Sequence, residues 1–114
     1  MSVYNNFTFI KGNVGKEAEI KEIPDVGTVA KFPLAVYRTG KGEEAKTDWF
    51  RVEAWHNLAR GMEDIPKGTR LIIKGQMKAD TVEKEGGKIT YYTLVASDIG
   101  KDISISKEED GEPF

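Results

Sequence analysis

Residues 47–55 read TDWFRVEAW and contain both tryptophans of the chain. Laid out as a β-strand, Phe50, Val52 and Ala54 point to one side, an ordinary core face. Trp49, Arg51, Glu53 and Trp55 point to the other. Two indoles on a face that does not belong to the core are suited to stacking on flat rings. Every nucleobase has a π-face, and a base stacked on an aromatic side chain gains roughly 1–3 kcal/mol whatever its identity. The same pattern has a plainer origin. Outward tryptophans are also found under loops and in subunit interfaces, and on the residues alone the two readings are level. Arg51 and Glu53, neighbours on one face, are equally placed to pair with each other at little net gain.

Flanking segments supply cations. Residues 27–38 offer Lys31 and Tyr37 and run into Arg38, while residues 69–82 offer Arg70, Lys74 and Lys78, with Lys84 and Lys88 in the turn beyond. Paired in a curved sheet, these segments would alternate rings with cations across one surface. Each lysine taken singly is a solvated side chain. Together with stacking rings, lysine and arginine can follow phosphates and release counterions, which makes affinity fall with salt. A duplex would not expose its base faces to such a surface.

Composition sets the bounds. At 114 residues the chain is expected to form one compact domain, and without cysteine it has no disulfide, Cys-based zinc site or thiol chemistry. The start, MSVYNNFTF, has no basic segment followed by a long apolar run, and nothing later approaches a membrane span. A soluble, cytoplasmic protein is expected. The net charge of −2 hides an asymmetry: KEEDGEPF at 107–114 carries −3 and the remaining residues +1. A near-neutral body argues only weakly for nucleic acid.

Strand signals dominate the elements that must position these residues. The stretch Phe7 to Val14 is closed by Gly12 and Gly15, and its alternation leaves open whether Phe7 and Phe9 or Thr8 and Ile10 face the core. GTVAKFPLAVYR alternates cleanly, with Ala30, Phe32, Leu34 and Val36 on one side. Pro33 donates no ladder hydrogen bond and places this strand at an edge or a bulge. The polar loop GKGEEAK leads into the tryptophan strand as a hairpin would. After it, HNLARGMEDI spaces Leu58, Ala59, Met62 and Ile65 as a helix of about two turns, ended by Pro66 and Gly68. Leu71, Ile73 and Met77 then mark a further strand, EKEGGK a turn, and ITYYTLVASDI a last strand that is apolar on both faces and so ambiguous in register.

The expected fold is therefore all-β: five strands closing an OB-fold barrel, with one short helix between the third and the fourth. That fold binds oligonucleotides or oligosaccharides on an exposed sheet face, but it hosts many functions. Catalysis is not expected. His56 has no cysteine partner and more simply borders the helix, Asp48 and Glu53 fall on opposite faces, and no phosphate-cradling loop or nucleophile elbow occurs. No cofactor or metal is implied. A sugar-binding module would need fewer cations, and an adaptor module would bury the outward aromatics in a protein interface.

From about Asn6 to Gly100 the chain resembles the bacterial-type single-stranded DNA-binding protein family. FIKGNVGKEAEI, GTVAKFPLAV, TDWFRVEAWHNLA, KGTRLIIKGQMK and YYTLVASDIG carry the likeness in order and spacing. The resemblance implies a homotetramer of OB-fold subunits that coats single-stranded DNA with little sequence preference during replication, recombination and repair. Trp49 falls at a family stacking tryptophan, and Trp55 at an aromatic stacking position that is usually phenylalanine. The expected site thus comprises Trp49, Trp55 and Tyr37 for stacking, and Lys31, Arg38, Arg51, Arg70, Lys74, Lys78 and Lys88 for phosphates. Two family stacking positions are empty: RTGKG follows the second strand with no tryptophan, and another falls at about Val82. Tyr37, Tyr91 and Tyr92 are the aromatics nearest to compensate.

The family also ends in an acidic tail closing with Pro-Phe, and this chain ends GEPF after KEED. The resemblance divides the chain into a barrel at 1–104 and a flexible tail at 105–114. In that tail Glu108, Glu109, Asp110, Glu112, Pro113 and Phe114 would engage basic-rimmed apolar pockets on replication, recombination and repair proteins. Composition alone makes it a solubilising end. Glu112 replaces the usual apolar residue, and the long family linker is missing.

Overall fold

The computed structural model describes residues 5–38 and 46–104. Six strands and one short helix follow one another: β1 (Thr8–Val14), β2 (Glu19–Ile23), β3 (Gly27–Arg38), β4 (Lys46–Trp55), α1 (Asn57–Gly61), β5 (Arg70–Lys84) and β6 (Gly87–Lys101). The sheet order is β1-β5-β6-β4-β3-β2, and β1 also pairs with β3. That extra pairing, Asn13 with Ala35 and Val14 with Leu34, closes β1, β5, β6, β4 and β3 into a five-stranded ring. This is the expected OB barrel, with the helix between β4 and β5. The sixth strand, β2, lies outside the ring as the hairpin partner of β3.

The alternating apolar positions of β3 fill the barrel as their spacing requires. Ala30, Phe32 and Leu34 are buried with Val52 and Ala54 of β4, Leu71 and Ile73 of β5, and Leu94 of β6. Thr8 and Ile10 take the inner side of β1, which leaves Phe7 and Phe9 outside, 70% and 55% exposed. The helix is shorter than its apolar spacing suggests. Its regular part ends at Gly61, and turn-like bonds from Met62 N–H to Ala59 and from Ile65 N–H to Met62 carry the chain onward. Met62 still reaches the core. His56 stands at its N-cap without a side-chain cap bond, so it borders the helix.

β5 and β6 are each 15 residues long and pair down to Lys84–Gly87. Their distal halves extend past the barrel as an exposed two-stranded ribbon. A register shift at Lys74/Gly75 sets Lys74 opposite Asp98 but Gly75 opposite Ala96. The bulge requires a glycine there, because a Cβ on Gly75 would lie 2.0 Å from the Val95 carbonyl oxygen. Extra twist at such a bulge redirects the ribbon.

Candidate nucleic-acid interface

The ladder between β3 and β4 fixes one outer face. Ala35 pairs with Trp49, Pro33 with Arg51, Lys31 with Glu53 and Val29 with Trp55. β6 joins in parallel, Arg51 with Thr93 and Glu53 with Val95, and Lys78 of β5 lies opposite Thr93. Because paired residues share a face, the row Trp49–Arg51–Glu53–Trp55 meets Tyr91, Thr93 and Lys78 on one continuous surface. Period-two alternation over 47–55 therefore holds in the structure.

Trp49 is 61% exposed. Its six-membered ring lies over Gly15, where a Cβ would come within 2.3 Å of Cζ3. The missing side chain makes room for the indole at this point. Beside it, the Arg51 guanidinium sits 4.4 Å from the centre of the Tyr91 ring, and Lys84 Nζ 5.7 Å from the same ring. Trp49, Arg51, Tyr91 and Tyr92 line an open hollow of about 530 Å³. A second hollow of about 450 Å³ shares Pro33 and Arg51 with it and adds Lys31 and Lys78, faced by Glu19, Glu53 and Asp80.

Trp55 has a different setting. It is half-buried, its Nε1–H donates to Glu53 Oε1 at 2.9 Å, and its ring lies 6.0 Å from that of His56. At ~3.3 Å per residue it stands about 20 Å from Trp49 along the strand. The two indoles mark opposite ends of the face and cannot sandwich one base. Glu53 also accepts from Lys78 Nζ at 3.2 Å through Oε2.

The other expected cations are dispersed. Tyr37 is exposed at the end of the Trp49 row, but Arg38 has the opposite parity and forks onto Asp48 at 2.9 and 2.8 Å. That hydrogen bonding, with the opposite charge, raises the Arg38 pKa and holds the Asp48 carboxyl below its ordinary value. Arg70 lies on another wall, where β5 pairs with β1. It donates to the Ser104 carbonyl at 2.9 Å and approaches Asp102 at 4.0 Å. Asp102 also accepts from the Ser104 hydroxyl and backbone N–H and pairs with Lys11 at 3.0 Å. The Ser104 hydroxyl, then its backbone N–H, then Lys11 hold its pKa down to about 2. Lys74 reaches over the Phe7 ring at 5.8 Å, and Lys88 stands opposite Glu83 near the ribbon tip. Val82, at an empty family stacking position, pairs with Ile89 on that ribbon and is 42% exposed.

Tyr91 and Tyr92 are additions to the expected site. Their signal was present as YYT, but a strand apolar on both faces hides which tyrosine faces outward. The tail residues Glu108, Glu109, Asp110, Glu112, Pro113 and Phe114 lie outside the described residues, as does the loop at 39–45. Among the described residues, no group of three or more His, Asp or Glu could hold a metal ion, and no helix is long and apolar enough to cross a membrane.

Residues 5–102 match the model of the single-strand binding protein family. The chain belongs to this family. A single-stranded DNA-binding protein of Thermus thermophilus is 30% identical over 90 residues, 79% of this chain and 34% of that protein. The chain thus spans about a third of the length of the curated relatives it matches. Among solved structures, a small single-stranded DNA-binding protein from Streptomyces coelicolor superposes with a TM-score of 0.75 at 25% identity, covering 88% of this chain and 97% of the other. A Plasmodium falciparum protein in complex with ssDNA gives 0.76 at 22% identity, covering 87% and 96%, and bears on the fold.

Proposed function

We propose that the chain binds single-stranded DNA without regard to sequence and protects it during replication, recombination and repair. The observation that carries this reading is the open indole of Trp49, seated on Gly15 beside the Arg51–Tyr91 stack. Bases stack on Trp49 and on the tyrosines of the neighbouring hollow, while Lys31, Arg51 and Lys78 meet phosphates in the hollow that adjoins it. The relatives named as single-stranded DNA-binding proteins support the same reading. Arg38, Arg70, Lys74 and Lys88 lie off this surface and fall to secondary contacts.

Two finer parts accompany the proposal. The acidic tip Glu108 to Phe114 recruits partner proteins of DNA metabolism. The chain acts as a homo-oligomer, a tetramer by family, for which the exposed Phe7, just before β1, and Phe9 on it offer apolar surface. Fluorescence anisotropy with labelled oligo-dT, a matched duplex and an oligosaccharide tests the core reading. Tight, salt-reversible binding of oligo-dT alone is expected; equal binding of the duplex, or none of oligo-dT, would refute it. Sedimentation of the wild type against Phe9→Asp reads the oligomer, and pull-down with and without Pro113 and Phe114 reads the tail.

A further inference from the structure

Glu53 is a buried charged residue, 6% exposed, in the middle of the sheet face that should meet an anion. A buried carboxylate is costly unless paired and hydrogen-bonded. Glu53 meets that requirement with two groups of the proposed site, the Trp55 indole N–H and the Lys78 ammonium. Lys78 in turn lies 3.8 Å from Asp80, and Lys31 pairs across the ladder with both Glu53 and Glu19. Three cations and three carboxylates line this hollow.

From this we infer that Glu53 is a built-in brake on single-strand binding: it occupies Lys78 where a phosphate oxygen would sit and fixes the edge of Trp55. The inference rests on the binding function proposed above and concerns how strongly the same face engages the backbone. When Lys78 turns to a phosphate, the cation released from the DNA is matched by a carboxylate left uncompensated on the protein. Lys78 then adds little to the net counterion release that drives affinity. Glu53 acts through Lys78 and Trp55 and is a positioning residue.

Glu53→Gln keeps an oxygen for the Trp55 N–H and removes only the charge. Oligo-dT titrations over a range of salt should show affinity about fivefold tighter at low salt, the upper scale of a partly exposed ion pair. The slope of log affinity against log salt should steepen by about 0.7, one further phosphate contact on a single strand. Adding Lys78→Gln to Glu53→Gln should remove the whole gain and return the slope to the wild-type value. A purely structural Glu53 would give equal or weaker affinity with an unchanged slope, and that result overturns the brake while leaving the binding function standing. If Glu53→Gln fails to fold, Glu53→Met, uncharged and of similar length, takes its place: a slope steeper by about 0.7 supports the brake, and an unchanged slope overturns it. Wild-type protein that ignores oligo-dT would bring down both readings together.

Discussion

On the wall formed by β3, β4 and β6, Trp49 and the Arg51–Tyr91 stack stand open beside a hollow lined by Lys31, and among the described residues only Lys78 there is held by carboxylates. On the wall formed by β1 and the first half of β5, Phe7 and Phe9 are just as exposed, but the cations are tied down. There Lys11 and Arg70 converge on Asp102, which closes β6 back against the start of β5. Both walls carry aromatics and positive charge. Only the first sets an exposed indole beside Arg51 and Lys31 around two adjoining hollows. Side-chain identity therefore says less about binding than the partner each side chain already has.

Substitutions on the two walls separate these roles, and the largest difference is expected in stacking. Trp49→Ala should weaken oligo-dT binding by roughly 1–3 kcal/mol with the fold intact, whereas Phe9→Ala should leave the intrinsic affinity of each subunit unchanged. Equal losses by anisotropy would mean that both walls bind. Next in size is the phosphate term. Lys31→Ala should make the salt dependence shallower by about 0.7, while Arg70→Ala should leave it unaltered and lower the melting temperature instead. A shallower slope in Arg70→Ala would extend the site around the barrel.

The smallest effect concerns the closed wall in acid. Asp102 has its pKa lowered from 3.8 to about 2, so the folded state binds this proton more weakly than the unfolded chain. Its stabilising contribution is complete above the unfolded value and is lost as pH falls toward 2. Denaturant midpoints measured from pH 5 to pH 2, taken as the difference between wild type and Asp102→Asn, should converge as the acid limit is approached. A constant difference across that window would show that the carboxylate is not held in its charged form.

The fold was largely legible where one face of a strand is apolar. Ala30, Phe32 and Leu34 alternate with residues that stay outside or are covered by neighbours, and this pattern can be satisfied only by one register. β2 is not legible in the sequence because EIKEI is short and charged, with only Ile20 and Ile23 partly covered. The candidate face was legible from the parity of Trp49 and Trp55. The grouping of cations was not. Arg70, Lys74 and Lys78 share a parity along β5, yet the first two fall where β5 pairs with β1 and the third where it pairs with β6 alone. A barrel turns its wall with each change of partner, and the bulge at Gly75 adds to that turn. Pairing with acids is likewise invisible in alternation: Asp48 captures Arg38 across a hairpin, and Glu53 captures Lys78 across 25 residues.

Trp55→Phe leaves Trp49 as the sole tryptophan and keeps a ring at the other end of the row. Titrating this variant with oligo-dT while following its emission tests the account at its centre. An exposed indole that receives bases should emit like a solvated tryptophan, be strongly quenched on binding, and recover at high salt. Emission that stays unchanged while anisotropy reports bound DNA would place the nucleic acid elsewhere and contradict the account.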